Sequence, residues 1–275
     1  MSLLIGCMCN EPEHTGRALA AVKDVLVAPA APLGWGLACY QGSDVLLSRH
    51  PKPRTTEVDL HRPISDLRTD YLVAQVRESG GEARVEDTPP FRFRQWVFAH
   101  AGELPGFETF RDKMIEGVPD FLRRSVRGAT KEEVILHVLL AFLHDAGKLD
   151  DPQLGISELA WGLRATAALL DRHAREAGAA PGVLNCVVTN GRVMAAMRRG
   201  SPMFLWRKRG LELAPVHTTT GQRPVRRDDL RAALIVSSPM NAPRLTEDSG
   251  WDEVPDASLV LVSRDVTASI APLAA

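Results

Sequence analysis

Apolar runs rich in β-branched and aromatic residues fall into two groups along this chain, separated by two long amphipathic stretches, and that order limits what it can fold into. The first group covers 2–9, 34–40, 44–48, 71–77 and 96–100, and the second 183–189, 193–198, 203–207, 232–237 and 258–264. Most are continuous rather than alternating, as expected of strands covered on both faces. Between the groups, Thr130 and Glu133 have capping-box spacing, and Val134, Leu136, Val138, Leu139, Phe142 and Leu143 make a broad apolar stripe that Gly147 ends. A second helix is expected over 157–176, with Ser157 as its cap and Leu159, Leu163, Leu169 and Leu170 inward. Further helical stretches read over 15–26 and 107–124, the latter broken at Pro119. Loops are expected at 28–33, 51–53 and 241–249. Strands, then helices, then strands suit two packed sheets with helices outside, and periodicity by itself gives an α+β class.

With 275 residues, 45% of them hydrophobic, the chain can bury a full core, and no linker interrupts it, so one domain over 1–275 is expected. Lys plus Arg (33) nearly balances Asp plus Glu (34), which gives no global attraction to nucleic acid or anionic membrane. The basic run Arg207-Lys-Arg209 reads as a solvated strand end. Cys7, Cys9, Cys39 and Cys186 contain no CxxC pair and follow no secretion signal, so reduced thiols and a cytoplasmic location are expected. Cys7 and Cys9 share one strand face and read as small buried residues rather than half a zinc site. His137 and His144 lack the four-residue spacing of a helical zinc pair. No metal or cofactor is expected. Every apolar run is shorter than the roughly 20 residues that span a bilayer.

Ser2 opens the first apolar run and is followed by three glycine-marked segments. These are Leu33-Gly-Trp-Gly36, Val76-Arg77 with Asp87-Thr-Pro-Pro-Phe91, and Phe98-Ala-His-Ala-Gly102. Later segments, Val183–Gly191, Ile235–Pro239 and Gly250–Pro255, continue the same order. Together they resemble the class II glutamine amidotransferases of the stand-alone, single-domain kind, with the N-terminal-nucleophile hydrolase fold. The resemblance implies a four-layer αββα sandwich. It also implies a nucleophile at the residue after the initiator Met, with that residue's own α-amino group as base.

In the family the nucleophile is Cys; here it is Ser2, whose hydroxyl ionises far less readily than a thiol. Its bland alternative is an ordinary small residue at a processed N-terminus. The family's His-Asn-Gly, whose Asn side chain and Gly N–H hold the oxyanion, is matched by His100-Ala-Gly102, so Gly102 keeps a donor and Ala101 lacks one. Arg77 matches the Arg that grips a substrate carboxylate, its alternative being a surface ion pair. Gln75 stands where the family usually has His; Thr88 is kept and Pro89 replaces another His. Lys131 occupies the place of the Asp that holds the substrate ammonium, with Glu132 or Glu133 as replacements and a solvated first-turn Lys as the alternative. The resemblance also puts His100, Trp35 and Gly36 among substrate-binding positions, although packing suffices for the glycines, and without a phosphate-loop Lys they bind no nucleotide.

Two functions follow. One is amide hydrolysis through Ser2, with glutaminase activity weak or lost; the other is a catalytically degenerate homologue that binds an anion, a small molecule or a partner. A glutamine-like amide or carboxylate is the expected ligand, and a homo-oligomer or partner enzyme is left open. Arg77 with Lys131 would set two cations where the family has one of each sign, which favours an anion over a zwitterion.

Overall fold

The computed structural model describes residues 2–28, 32–52, 57–77, 84–218, 221–238 and 245–274, with the backbone alone at 212–218, 221–226 and 249. The chain begins with β1 (Leu3–Cys9), α1 (Thr15–Ala20), β2 (Val27–Ala28), β3 (Gly34–Gln41), β4 (Asp44–Pro51), β5 (Val58–Asp59), α2 (His61–Ser65) and β6 (Tyr71–Arg77). It continues through β7 (Phe91–Phe93), β8 (Trp96–Ala101), α3 (Phe107–Glu116), α4 (Asp120–Arg123), α5 (Lys131–Asp145) and α6 (Ile156–Glu176). The last third is strand: β9 (Asn185–Thr189), β10 (Met194–Arg198), β11 (Phe204–Thr218), β12 (Gly221–Ser237), β13 (Trp251–Glu253), β14 (Ser258–Val262) and β15 (Ala268–Pro272).

Two large antiparallel sheets form, in the orders β13-β11-β12-β1-β6-β3-β4 and β15-β14-β10-β9-β8-β7, and β2 pairs with β5 in a small third one. The period-two alternation of each strand decides which layer a side chain enters. On β1, Leu3, Ile5 and Cys7 join Leu19 of α1 and Ile64 of α2, while Leu4 and Met8 meet Val97, Val187 and Met194 of the second sheet. Trp96, Phe98 and Val188 point the other way, onto Phe110 of α3, Leu139 of α5 and Leu163 of α6. Three apolar interfaces therefore separate four layers, αββα. A Cβ at Gly6 would lie 2.7 Å from Val187 Cγ1, so the absence of a side chain lets the central strands of the two sheets approach.

Local details correct several sequence expectations. Thr130 is the residue before α5 but makes no capping bond; Glu133 instead turns back to accept the N–H groups of Arg127 (3.0 Å) and Gly128 (2.6 Å). Gly155, not Ser157, precedes α6, and Glu158 accepts its N–H. The 15–26 stretch divides into α1 and a 3-10 turn at Lys23–Leu26. Arg207–Arg209 lies inside β11 rather than at its end: β12 leaves β1 after Cys9↔Ala232, whereas β11 and β12 stay paired out to Thr218↔Gly221. The expected loops at 28–33, 51–53 and 241–249 lie partly outside the described residues, as do Gly80 and Gly81. Among those described, no helix is long and apolar enough to cross a membrane.

Candidate active site

The start of β1, the end of β6 and the end of β8 meet at one end of the sandwich. Because Leu72, Ala74 and Val76 face the outer helices, Gln75 and Arg77 face the second sheet. Ser2 stands one step before the Leu3↔Val76 pair, which brings it beside Arg77. Opposite, β8 closes with Ala101 paired to Asn185 and runs into Gly102. A cavity of about 360 Å³ opens between them, lined by Ser2, Gln75, Arg77, the stretch from His100 to Glu103, and the first turn of α5.

Two side-chain hydrogen bonds tie the sheets together here. Asn185 Nδ2 donates to Ser237 Oγ at 2.9 Å, and Gln75 Nε2 donates to the His100 carbonyl at 2.6 Å. The second bond fixes the carboxamide orientation, since a carbonyl accepts only from the nitrogen. Gln75 is 2% exposed, and its Oε1 has no hydrogen-bond partner among the described residues. The hydroxyl of Thr130, also on the cavity wall, is likewise buried and without a partner among them.

Gly102 has φ +141°, and a Cβ there would fall 2.2 Å from the Val183 carbonyl oxygen. Only glycine fits this close approach, which sets the chain's path at the cavity rim. His100 lies on the helix side of β8: its Nδ1 is 3.4 Å from Glu132 Oε1 and its Nε2 is 3.3 Å from the Val183 carbonyl. Burial pushes the Glu132 carboxyl up, but the His100 hydrogen bond and charge, helped by Lys131, outweigh it and hold the group below the usual carboxylate range. Lys131 Nζ donates to Glu103 Oε2 at 3.1 Å and lies 4.0 Å from Glu132 Oε1. Two carboxylates thus flank this cation. That corrects the expectation of a doubly cationic pocket.

Behind the cavity, a guanidinium N–H of Arg77 donates to the Asp87 carbonyl at 2.9 Å, and the Asp87 carboxylate accepts the Ala129 N–H at 3.1 Å. Thr88 donates its hydroxyl to the Arg84 carbonyl at 2.7 Å. These bonds pin the segment before β7 against the turn before α5.

The sequence profile of the class-II glutamine amidotransferases matches residues 1–272. The chain belongs to the class II glutamine amidotransferases. Among relatives of the family it is 25% identical over 236 residues to the γ-glutamyl-hercynylcysteine sulfoxide hydrolase of Mycobacterium tuberculosis (strain ATCC 25618 / H37Rv), which covers 84% of this chain and 75% of that protein. It is also 32% identical over 87 residues to YafJ of Escherichia coli (strain K12), a match spanning 28% of this chain and 32% of YafJ, about a third of that protein's length. Solved structures agree on the fold. A class-II domain protein from Silicibacter pomeroyi superposes with TM-score 0.61 at 18% identity, covering 99% of this chain and 100% of the other. A protein from Pseudomonas aeruginosa PA01 gives 0.59 at 17%, covering 98% and 99%.

Of the residues that the likeness to class II glutamine amidotransferases singles out, Ser2, Arg77, His100, Ala101, Gly102 and Lys131 come together on the cavity wall. Thr88, Trp35 and Gly36 do not line it. Trp35 stacks on His50 with ring centroids 4.0 Å apart, and Gly36 lets β3 pass the Pro89 carbonyl, which a Cβ would approach to 2.3 Å. Glu133 is committed to its turn, whereas Glu132 reaches the cavity. Gln75, Asp87, Glu103, Glu108 and Thr130 line it too, and their sequence signal was small; for Gln75 it is an amide inside an otherwise apolar strand.

None of the four cysteines lines the cavity. Cys7, Cys9, Cys39 and Cys186 are all buried, and burial raises each pKa, that of Cys186 to about 12. Among the described residues no group of three or more His, Cys, Asp or Glu side chains could hold a metal ion.

Proposed function

We propose that this family member binds a glutamine-like amide in the cavity at Ser2 and hydrolyses it slowly, with glutaminase activity weak or lost. One observation carries the reading: Ser2, Arg77 and Gly102 share a single cavity wall although they come from three separate strand ends. Once Met1 is removed, the free α-amino group of Ser2 takes the hydroxyl proton as Oγ attacks the carbonyl carbon. The Gly102 N–H receives the developing oxyanion, Arg77 holds the substrate carboxylate, and the protonated α-amine hands its proton to the amide nitrogen so that the C–N bond breaks and ammonia leaves; water, deprotonated by the same amine, then cleaves the Ser2 ester to the product acid. The Ala101 methyl offers no donor, and loss of one such donor typically slows turnover by about a hundred- to a thousandfold. A second reading, a subunit that binds without hydrolysis, draws on the same replacements.

Intact mass and ammonia release from glutamine test both. The expected result is a chain lacking Met1 whose turnover lies at least about a hundredfold below that of the Ser2→Cys, Ala101→Asn double variant. Retention of Met1 in an active chain overturns the α-amino mechanism. Wild-type turnover near the common enzyme median of about 10 s⁻¹, abolished by Ser2→Ala, overturns the weak activity. A double variant as inert as wild type favours the binding subunit.

A further inference from the structure

The unpartnered oxygen of Gln75 has a consequence for what the cavity accepts. This side chain is held at its other end by the bond to the His100 carbonyl, one residue before the Ala101–Gly102 pair. Its Oε1 is buried and meets no donor among the described residues, and the residue itself lines the same cavity as Ser2. A desolvated acceptor held in one orientation is costly until a donor reaches it, and a site built around such a group discriminates strongly against ligands that lack the donor.

We infer that Gln75 is a specificity-determining residue that receives an N–H hydrogen bond from the carboxamide of the ligand, so that the cavity selects primary amides over esters and carboxylates of the same shape. This rests on the amide-binding reading above and adds the group that recognises the amide. An ester oxygen or a carboxylate turns a lone pair toward Gln75 Oε1 and is repelled. After hydrolysis, the product carboxylate meets that same oxygen without a donor, which favours its departure.

The test is calorimetric titration in a Ser2→Ala background, which removes turnover, with glutamine, glutamate and the γ-methyl ester of glutamate as probes. The ester keeps the carbonyl, the ammonium and the α-carboxylate and replaces only the amide nitrogen. Glutamine is expected to bind about ten- to a hundredfold more tightly than either. Gln75→Met, close in volume and without an acceptor oxygen, is expected to bring glutamine and ester within about twofold of each other. Equal or tighter binding of the ester by the Ser2→Ala protein overturns the inference without recourse to Gln75→Met. Persistence of the glutamine preference in Gln75→Met overturns it as well, while leaving the amide-binding reading intact. Failure of all three probes to bind overturns both.

Discussion

The two ends of the sandwich are built from the same strands yet treat their polar groups differently. At the end away from Ser2, a cavity of about 700 Å³ is larger than the one at Ser2, but no polar side-chain atom buried in its wall lacks a partner among the described residues. The Tyr40 hydroxyl donates to the Gln95 carbonyl at 2.5 Å and lies 3.2 Å from that of Thr189; the Tyr71 hydroxyl donates to the Arg192 carbonyl at 2.7 Å. Thr69 bridges Tyr40 and Tyr71 through its own hydroxyl. At the Ser2 end, Gln75 Oε1 and Thr130 Oγ1 meet no partner among the described residues. Satisfied polar groups stabilise the fold, whereas a buried unsatisfied one costs free energy until a partner reaches it. Cavity size and polar satisfaction therefore rank the two ends differently.

That contrast can be broken by substitution. The largest effect on stability is expected from Gly102→Ala, because the backbone sits at positive φ and the new Cβ strikes the Val183 carbonyl. Urea unfolding should show a loss of about 2–4 kcal/mol; a loss under 1 would mean that the rim of the cavity is not fixed as described. At the opposite end, Tyr40→Phe leaves the Gln95 carbonyl without its side-chain donor and should cost about 1–3 kcal/mol, with ligand binding at the Ser2 cavity unchanged. An unaltered midpoint would contradict the idea that this end is purely structural.

Glu132→Gln should cost about 1 kcal/mol at pH 7, through loss of the charge that faces His100. The Glu132 pKa is depressed by the fold, so its stabilisation is present above the ordinary Glu value of about 4.3 and fades as pH falls through the lower folded value. The wild-type and variant unfolding curves should accordingly converge below about pH 4, and a gap of constant size across pH 3–7 would refute the assignment. The smallest effect belongs to Thr130→Val. With no bond to lose, it should shift stability by less than about 0.5 kcal/mol, despite a position before α5 where a capping Thr would cost about 1.

The strands that compose both sheet centres were legible because their burial on two faces leaves a continuous apolar run, as in Leu3–Cys9 and Tyr71–Val76. The short or edge strands β7, β13 and β15 were not, since three residues, or alternate exposed ones, carry too little pattern. The turn before α5 misled for a related reason. Thr130 and Glu133 have the spacing of a reciprocal cap, but nearer backbone donors at Arg127 and Gly128 capture the carboxylate.

By itself the sequence determined the strand–helix–strand order, put Ser2 at the head of the first apolar run and set Ala101 and Gly102 at the end of another, because these depend on local pattern and residue chemistry. Only the tertiary structure decided that Lys131 is flanked by Glu103 and Glu132, that Trp35 and Gly36 pack away from the cavity, and that Gln75 has one end tied and the other unpartnered. Apart from the neighbouring Lys131–Glu132 pair, each of those facts turns on a distance between residues far apart in the chain. No local pattern encodes such a distance, because it is fixed only when the two sheets close on one another.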